Sequence, residues 1–458
     1  MIHSKHSFAV FFALCLLTTG KCIAEDSPAA WQAGAAKIDI TPEQPMWMAG
    51  YASRDQPARG TLIPLWAKAL AMQDSAGQRG LVLTLDLVGI DRQLSQAICQ
   101  SLQKEHGLQR AQVLICCSHT HTGPVVGNLR PTHYLQLDAD QRALVDQYRL
   151  VLKRKIGQVA SQALERLAPA RFRWGSGRAT FAVNRRENRP ESDVPAWRTA
   201  AKLKGPVDHD VPVLTVQDLA GQLKAVLFGY ACHATTLDFY QWSGDYPGFA
   251  QRNLERDHPG CIALFWAGCG GDQNPLPRRT VALAEHYGRR LADAVDSVVM
   301  TSAMRELAGP LTMNYREIDL PLGTLPSRTE LEQNAKSANR YEAARAKMLL
   351  RQIDSGQPLS PTYPYPVASW QLGDGVALVA LGGEVVVDYA LRLKAELAGT
   401  RTWVASYSND VMAYIPSRRV LREGGYEGGG SMVYYGLPTI WAPTIENQII
   451  RQVHAQLQ

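Results

Sequence analysis

The sequence predicts an α/β fold in which mixed sheets are covered by helices. Short apolar runs bounded by turn residues alternate along the chain with longer amphipathic stretches, which is the pattern of buried strands and covering helices. The composition, with 46% hydrophobic and 20% charged residues, is that of a globular protein rather than a disordered one. A chain of 458 residues is long enough for one large domain with an extensive core.

Individual elements follow from the same pattern. Apolar runs predict buried strands at residues 80–90, 112–117, 225–232, 261–266 and 376–381. Amphipathic patterns predict helices at 94–105, 141–167, 279–300 and 327–352, with further helices beginning at Pro247, capped by Asp245, and near Val385. Residues 354–366 and the glycine-rich residues 422–436 predict long loops, which often cover functional sites.

The amino terminus predicts export. Lys5 precedes a short apolar run, and residues 22–24 suit a cleavage site, so residues 1–24 are interpreted as a signal peptide and 25–458 as one catalytic domain. The expected location is periplasmic or secreted. An uncleaved anchor or a buried first helix is the alternative, and no later segment is apolar and long enough to cross a membrane.

The charge bears on the possible partners of the protein, and the cysteine content bears on its possible disulfides. The formal net charge is +6 without a dense Lys/Arg run, so no nucleic-acid partner is expected, and the sequence leaves the oligomeric state open. An exported protein can form disulfides, but the cysteine spacing leaves their pairing open. Cys116, Cys232 and Cys261 lie in apolar strand-like runs and are expected to be buried small hydrophobic residues.

A His-x-His pair follows directly after a predicted buried strand. His119 and His121 lie in the run Ser118–Pro124, where Gly123 and Pro124 turn the chain. If the strand persists, its two-residue period places both imidazoles on the same side. Neutral imidazole is the usual nitrogen ligand for zinc, although two structural histidines are the alternative.

A further histidine ends another apolar strand. His233 closes the run that begins near residue 225, at a carboxyl strand end, where open α/β sheets collect their ligands. It is therefore a candidate metal ligand, and a packed core histidine is the alternative.

A glycine-rich turn, residues 268–275, follows the predicted strand 261–266. Its glycines allow backbone amides to approach a ligand, and Asp272 could orient a ligand histidine, although a tight surface turn would use the same residues. The pattern fits neither a P-loop nor a dinucleotide fingerprint. The chain also lacks H-E-x-x-H and G-x-S-x-G, so neither a common zinc-peptidase motif nor a serine nucleophile elbow is present.

Taken together, these motifs resemble the N-terminal catalytic region of neutral, non-lysosomal ceramidases, over nearly the whole mature chain. The segments that carry the resemblance are Ala36–Pro42, Met48–Tyr51, Ser118–Pro124, His233, Gly270–Asp272 and Glu384. The resemblance implies a catalytic domain of that type. The family's C-terminal immunoglobulin-like domain is expected to be absent, which puts a bilayer-embedded substrate in question.

The same resemblance implies roles for single residues. The implied zinc ligands are His119, His233, Glu384 and Tyr414, with His121 as a nearby acid/base or oxyanion partner and Arg185 as a substrate contact. On local pattern alone, Glu384 would also suit a helix amino terminus, and Tyr414 a packed position. The family usually carries a serine where this chain has Asn274, so that serine's role cannot be transferred.

Three functional hypotheses remain open. The first is a Zn²⁺-dependent amidase for a lipid such as ceramide, with at most transient contact with a membrane surface. The second is a zinc hydrolase on the same scaffold that acts on a sugar-linked amide, an ester or a glycoside, since a scaffold does not determine a substrate. The third is an inactive exported binding protein.

Overall fold

Helices and sheets stack in four layers in the computed structural model, which describes residues 31–301, 303–373, 375–399 and 401–458 together with Met1 and Ile2. Helices cover one face of a nine-stranded sheet, a four-stranded sheet packs on its other face, and further helices cover the four-stranded sheet. This arrangement confirms the α/β prediction. The interpretation of residues 1–24 as a signal peptide lies outside the described residues, apart from the first two.

Seventeen strands are present in the described part of the chain. They are β1 (Gln32–Asp39), β2 (Trp66–Gln73), β3 (Arg79–Leu85), β4 (Val113–Cys117), β5 (Ala168–Arg178), β6 (Ala182–Asn184), β7 (Asp210–Asp218), β8 (Leu223–Tyr230), β9 (Ile262–Ala267), β10 (Gln273–Pro275), β11 (Arg305–Leu307), β12 (Leu311–Pro321), β13 (Thr362–Leu372), β14 (Val376–Leu381), β15 (Glu384–Val385), β16 (Arg401–Ala405) and β17 (Tyr414–Ile415).

The larger sheet has the strand order β4-β3-β2-β1-β5-β7-β8-β9, with β11 beside β5, and the smaller has the order β12-β13-β14-β16. Parallel pairs are β3–β4 and β8–β9 in the larger sheet and β14–β16 in the smaller one. A helix connects the strands of each parallel pair. Gly268 pairs with Ala405, and Cys116 with Ser408, so segments from the two sheets meet beyond the carboxyl ends of these strands.

Twelve α-helices are described. They are α1 (Arg92–His106), α2 (Pro131–Tyr134), α3 (Ala139–Glu165), α4 (Val194–Thr199), α5 (Asp245–Asp257), α6 (Val281–Val299), α7 (Arg328–Asn334), α8 (Arg340–Asp354), α9 (Asp388–Glu396), α10 (Arg418–Glu423), α11 (Met432–Tyr435) and α12 (Ile445–Leu457), with 3₁₀ turns at Arg110–Gln112 and Glu191–Asp193 and a π turn at Tyr426–Gly430. Among the described residues, no helix has the length and hydropathy to cross a bilayer.

Strand β3 shows why the sequence reads as a continuous apolar run. Leu81 and Leu83 face the core beneath the helices, whereas Val82 faces the core between the two sheets. A strand that is buried on both faces needs apolar residues at every position. The core between the sheets is completed by tryptophans from both of them, at positions 174, 266, 370 and 403.

Most predicted elements are confirmed within a few residues, but several predictions about their extent are wrong. The strand predicted at 80–90 ends at Leu85, and α5 begins at Asp245 rather than at Pro247. The helix expected near Val385 begins at Asp388, because residues 384–385 pair with β17 instead. Residues 362–366 of the expected loop belong to β13.

The helix predicted at 327–352 is two helices. The Asn339 side chain accepts hydrogen bonds from the backbone N–H groups of Tyr341 and Glu342, which begins a new helix there. The prediction of a long flexible loop at 422–436 is also wrong, since this segment folds as the end of α10, the π turn and α11. The predicted burial of Cys116, Cys232 and Cys261 is confirmed, and the described residues contain no disulfide.

Helix α3 offers a test of backbone energetics away from the site. A Cβ atom added at Gly157, inside α3, would meet nothing within 4 Å. We expect Gly157→Ala to stabilise the protein by about 0.5–1 kcal/mol, because alanine removes backbone freedom from the unfolded chain. The free energy of unfolding in urea measures this. Gly34→Ala is the contrasting variant and should destabilise, since its Cβ would lie 2.1 Å from the carbonyl oxygen of Ala163.

Candidate metal centre

Three buried histidines converge beyond the carboxyl ends of β4 and β8. The ligand atoms of His119, His121 and His233 all lie within 4.8 Å of one another. The Nε2 atoms of His119 and His121 are 3.1 Å apart. Side chains brought so close from two separate loops make a site that could hold a metal ion.

The conformation of His119 is unusual for a residue with a side chain. Its φ is 58°, in the left-handed region, and its ring stacks on Tyr407, whose φ is 53°, with the ring centroids 4.2 Å apart. The Nδ1 atom of His119 lies 2.6 Å from the carbonyl oxygen of Val88. Backbone strain of this kind persists only where surrounding contacts hold it, and it is common at functional sites.

A carboxylate and a phenol complete the cluster. Glu384 Oε2 lies 3.1 Å from Nε2 of His119 and 3.1 Å from Nε2 of His233. The Tyr414 hydroxyl lies 3.2 Å from Nε2 of His233. Glu384 and Tyr414 are register partners in the parallel bridge between β15 and β17. Glu384 is therefore on a short strand and not at a helix amino terminus, the local alternative.

The protonation states at this cluster suit a cation. Carbonyl oxygens only accept hydrogen bonds, so Nδ1 of His119 donates to Val88 and Nδ1 of His233 donates to Gly270 at 2.5 Å. A neutral imidazole that donates through Nδ1 presents a lone pair at Nε2. Both Nε2 atoms lie 3.1 Å from Glu384 Oε2, so a cation bound among these three atoms would be coordinated by all of them.

The pKa shifts favour a neutral His233 and an ionised Glu384. Burial lowers the pKa of His233 to about 4, so the ring is neutral at pH 7. Burial by itself would raise the pKa of the Glu384 carboxyl, but His119 and His233 hold it well below its usual value. Neutral imidazole and ionised carboxylate are the forms in which these side chains bind zinc.

Two residues that sequence reasoning missed contact Oε1 of Glu384, the carboxylate oxygen that does not face the histidines. Arg130 Nη2 lies 3.3 Å from Glu384 Oε1, and the Tyr435 hydroxyl donates a hydrogen bond to the same oxygen. Arg130 also donates to the Tyr435 hydroxyl at 3.1 Å. Two sequence features could have indicated these residues. Arg130 lies shortly after the His-x-His motif, and Tyr435 lies at the end of the glycine-rich segment.

Arg185 lies beside Tyr414 and is held there by three side chains. It donates to the Tyr414 hydroxyl at 3.1 Å, to Asn274 Oδ1 at 3.3 Å and to Glu427 Oε1 at 2.8 Å. Glu427, which sequence reasoning did not single out, also accepts from Arg186 at 2.6 Å. These ion pairs fasten the glycine-rich segment over the site, which explains why it is folded despite its composition.

Asp272 does not orient a histidine in this structure. Its carboxylate accepts hydrogen bonds from the backbone N–H of Val387 at 2.9 Å and from Asn184 Nδ2 at 2.9 Å. The carbonyl of Gly270 takes the predicted place at His233 Nδ1. Asp272 therefore joins the glycine-rich turn to the chain that follows Glu384, and the prediction of a direct contact with a ligand histidine is wrong.

His121 is neutral and lacks a partner for one ring nitrogen. Burial first, and then the neighbouring His119, His233 and Arg130, lower its pKa well below the usual value. Within the described residues, its Nδ1 has no hydrogen-bond partner. Gly50 packs against the ring so closely that a Cβ there would lie 2.5 Å from its Cγ. His121 is thus held rigidly in its neutral form, with one ring nitrogen available to a ligand.

Comparison with known proteins places this geometry in context. A family model described as neutral/alkaline non-lysosomal ceramidase, N-terminal, matches residues 31–265. The neutral ceramidase of Pseudomonas aeruginosa is 25% identical over 349 residues, which cover 71% of this chain and 50% of that protein. The neutral ceramidase of Drosophila melanogaster is 26% identical over 295 residues, covering 60% of this chain and 39% of that protein. The chain thus spans half or less of these relatives.

Solved structures share the fold. The crystal structure of neutral ceramidase from Pseudomonas aeruginosa matches with a TM-score of 0.70 at 20% identity, covering 93% of this chain and 74% of that one. A structure described as ceramidase complexed with C2 matches with a TM-score of 0.71 at 19% identity, covering 92% and 74%. At this identity the likeness demonstrates a common architecture.

Proposed function

The chain belongs to the neutral/alkaline non-lysosomal ceramidase family, and from this premise we propose that it is a zinc-dependent hydrolase that cleaves the amide bond of an N-acylated lipid such as ceramide. The observation that carries the proposal is the pair of buried Nε2 atoms, those of His119 and His233, each 3.1 Å from the carboxylate of Glu384. With Tyr414 they would supply four nitrogen and oxygen donors, and zinc is usually four-coordinate in proteins. One zinc ion per chain is expected.

Each residue of the site has a separate role in the proposed reaction. A bound Zn²⁺ would acidify water and polarise the carbonyl of the scissile amide. His121 accepts the proton released as water adds to the carbonyl and delivers it to the leaving amine. Arg185 and Asn274 hold a polar part of the substrate, and Arg185 also keeps the Tyr414 hydroxyl in place. No serine nucleophile is required.

A substrate panel tests the proposal. The zinc-loaded protein is incubated with ceramide, other N-acyl lipids, N-acyl sugars, esters and glycosides, and the products are identified by mass spectrometry. Release of a free fatty acid and an amine from the N-acyl lipids supports it. Cleavage of sugar-linked amides, esters or glycosides alone would move the protein to the second hypothesis. A folded protein without zinc or activity would be a binding protein.

Export belongs to the same proposal. Residues 1–24 carry the three parts of a signal peptide, and we propose that the mature catalytic domain begins at residue 25, outside the cytoplasm. Amino-terminal sequencing of protein recovered from the periplasm or medium tests this. Recovery of the intact chain from the cytoplasm would contradict it.

Replacement of Asn274 distinguishes a water mechanism from a serine mechanism. We expect Asn274→Ala to lower kcat/KM by about 10- to 1,000-fold, the scale of losing a polar donor rather than the reaction centre. Asn274→Ser should remain active and can shift substrate preference, because a hydroxyl also donates and accepts. Steady-state kinetics measure both. An acyl-enzyme trapped in the wild-type protein and detected by mass spectrometry would contradict attack by water.

A further inference from the structure

A cavity beside the metal centre is rich in arginine. Its volume is about 340 Å³, and its wall includes Arg185 and Asn274 from the candidate site together with Arg189, Arg278 and Glu191. The histidine rings themselves are buried. Because Arg185 lines the cavity and also donates to the Tyr414 hydroxyl at 3.1 Å, the cavity adjoins the candidate site.

The charges in this wall do not cancel. Arg278 forms a two-point ion pair with Glu191, at 2.9 and 2.6 Å, and each neutralises the other. Glu427 is engaged by Arg185 and Arg186. Arg189 has no carboxylate partner among the described residues. Its Nε donates to the Arg185 carbonyl at 3.1 Å, which orients the guanidinium and leaves both Nη groups for a ligand.

Asn274 presents a donor to the same space. Its Oδ1 faces Arg185 Nη1 at 3.3 Å, and a guanidinium can only donate, so this contact determines which end of the amide faces Arg185. The Nδ2 group is then the end that remains for a ligand. A serine hydroxyl at this position could donate or accept, whereas Asn274 held in this way offers N–H groups only.

From the uncommitted donors of Arg189 and Asn274 in this wall we infer that the cavity binds an anionic, oxygen-rich group, a carboxylate or a phosphate, on the amine portion of the substrate. Arg189 would bind it through its planar fork, a geometry that matches both groups. The inference rests on the proposed amide hydrolysis. Water adds across the C–N bond, the fatty acid leaves with the added hydroxyl, and the amine leaves protonated and still bears its anionic group.

Matched substrates test the inference. N-octanoylserine carries a carboxylate, N-octanoylethanolamine phosphate carries a phosphate, and N-octanoylserinamide replaces the carboxylate by a neutral amide of the same shape. We expect kcat/KM for at least one anionic substrate to exceed that for the serinamide by about tenfold or more. The difference should arise from a lower KM for the anionic substrate, with kcat little changed. The better anionic substrate identifies which group the cavity binds.

Variants locate the effect. Arg189→Gln should bring the preference ratio close to one, and Arg189→Lys should keep part of it, because lysine retains the charge but not the fork. Arg351→Gln, on the exposed side of α8, is the matched control and should leave the ratio unchanged. Circular dichroism confirms that each variant is folded.

The outcomes separate the two proposals. Equal rates on charged and neutral substrates, or a ratio that Arg189→Gln does not alter, would overturn the inference while leaving amide hydrolysis intact. If no amide is hydrolysed, ceramide included, the proposed function fails. Calorimetric titration of N-octanoylserine and N-octanoylethanolamine phosphate into the wild-type and Arg189→Gln proteins then tests anion binding in the cavity independently of hydrolysis. Tighter binding of either compound to the wild type supports the anion site, and equal or undetectable binding of both overturns it.

Discussion

Replacing His119 or His233 by alanine is expected to remove bound zinc and hydrolytic activity together. Each ring directs its Nε2 atom at the centre and donates a hydrogen bond through Nδ1 to a backbone carbonyl. Neither ring can therefore move to take the place of the other. Metal analysis of protein purified without chelator should fall from about one equivalent per chain to trace amounts, as expected for a site that loses a zinc ligand.

His121→Ala is the matched variant from the same motif. Its ring lies beside the proposed zinc ligands, but its proposed role is proton transfer, so zinc should remain while kcat falls by about 10²- to 10⁴-fold. The comparison needs only metal content and steady-state rates. If His121→Ala lost zinc as completely as His119→Ala, the two histidines would share the coordination, and another group would have to transfer the proton.

Glu384→Gln is expected to weaken zinc binding and to destabilise the fold. The substitution keeps the shape of the side chain but removes the charge that faces the two imidazoles. It also leaves Arg130 without its buried carboxylate partner. Removing one member of a buried ion pair typically costs about 3–5 kcal/mol. Thermal unfolding with and without chelator, and competition for zinc with a coloured chelator, measure the two effects.

The pH dependence gives Glu384→Gln an internal check. The folded-state pKa of Glu384 lies well below its usual value, so its ionised form stabilises the native state at neutral pH, and this contribution is lost only as pH falls through the folded-state pKa. The stabilities of wild type and Glu384→Gln should therefore converge in acid. Tyr435→Phe keeps the carboxylate and should lower zinc affinity by only about 10- to 100-fold. Wild-type zinc affinity in Glu384→Gln would exclude Glu384 as a ligand.

The sequence by itself determined the fold class and the positions of the candidate ligands along the chain. Buried strands can be recognised from local sequence, because a strand covered on both faces is apolar at nearly every residue, as in β3 and β14. His119 and His233 follow the ends of such strands, so their placement at one edge of the larger sheet could be predicted. The candidates Glu384 and Tyr414 depended on the family resemblance.

Only the tertiary structure decided how these residues meet. The two-residue period predicted that His119 and His121 face the same side, yet β4 ends at Cys117, and the left-handed backbone of His119 brings the rings together instead. Arg130 and Glu384 are 254 residues apart, and Glu427 reaches Arg185 across 242. Local patterns carry no information about such pairs, because the packing of the two sheets, not the neighbouring sequence, brings their loops within hydrogen-bonding distance.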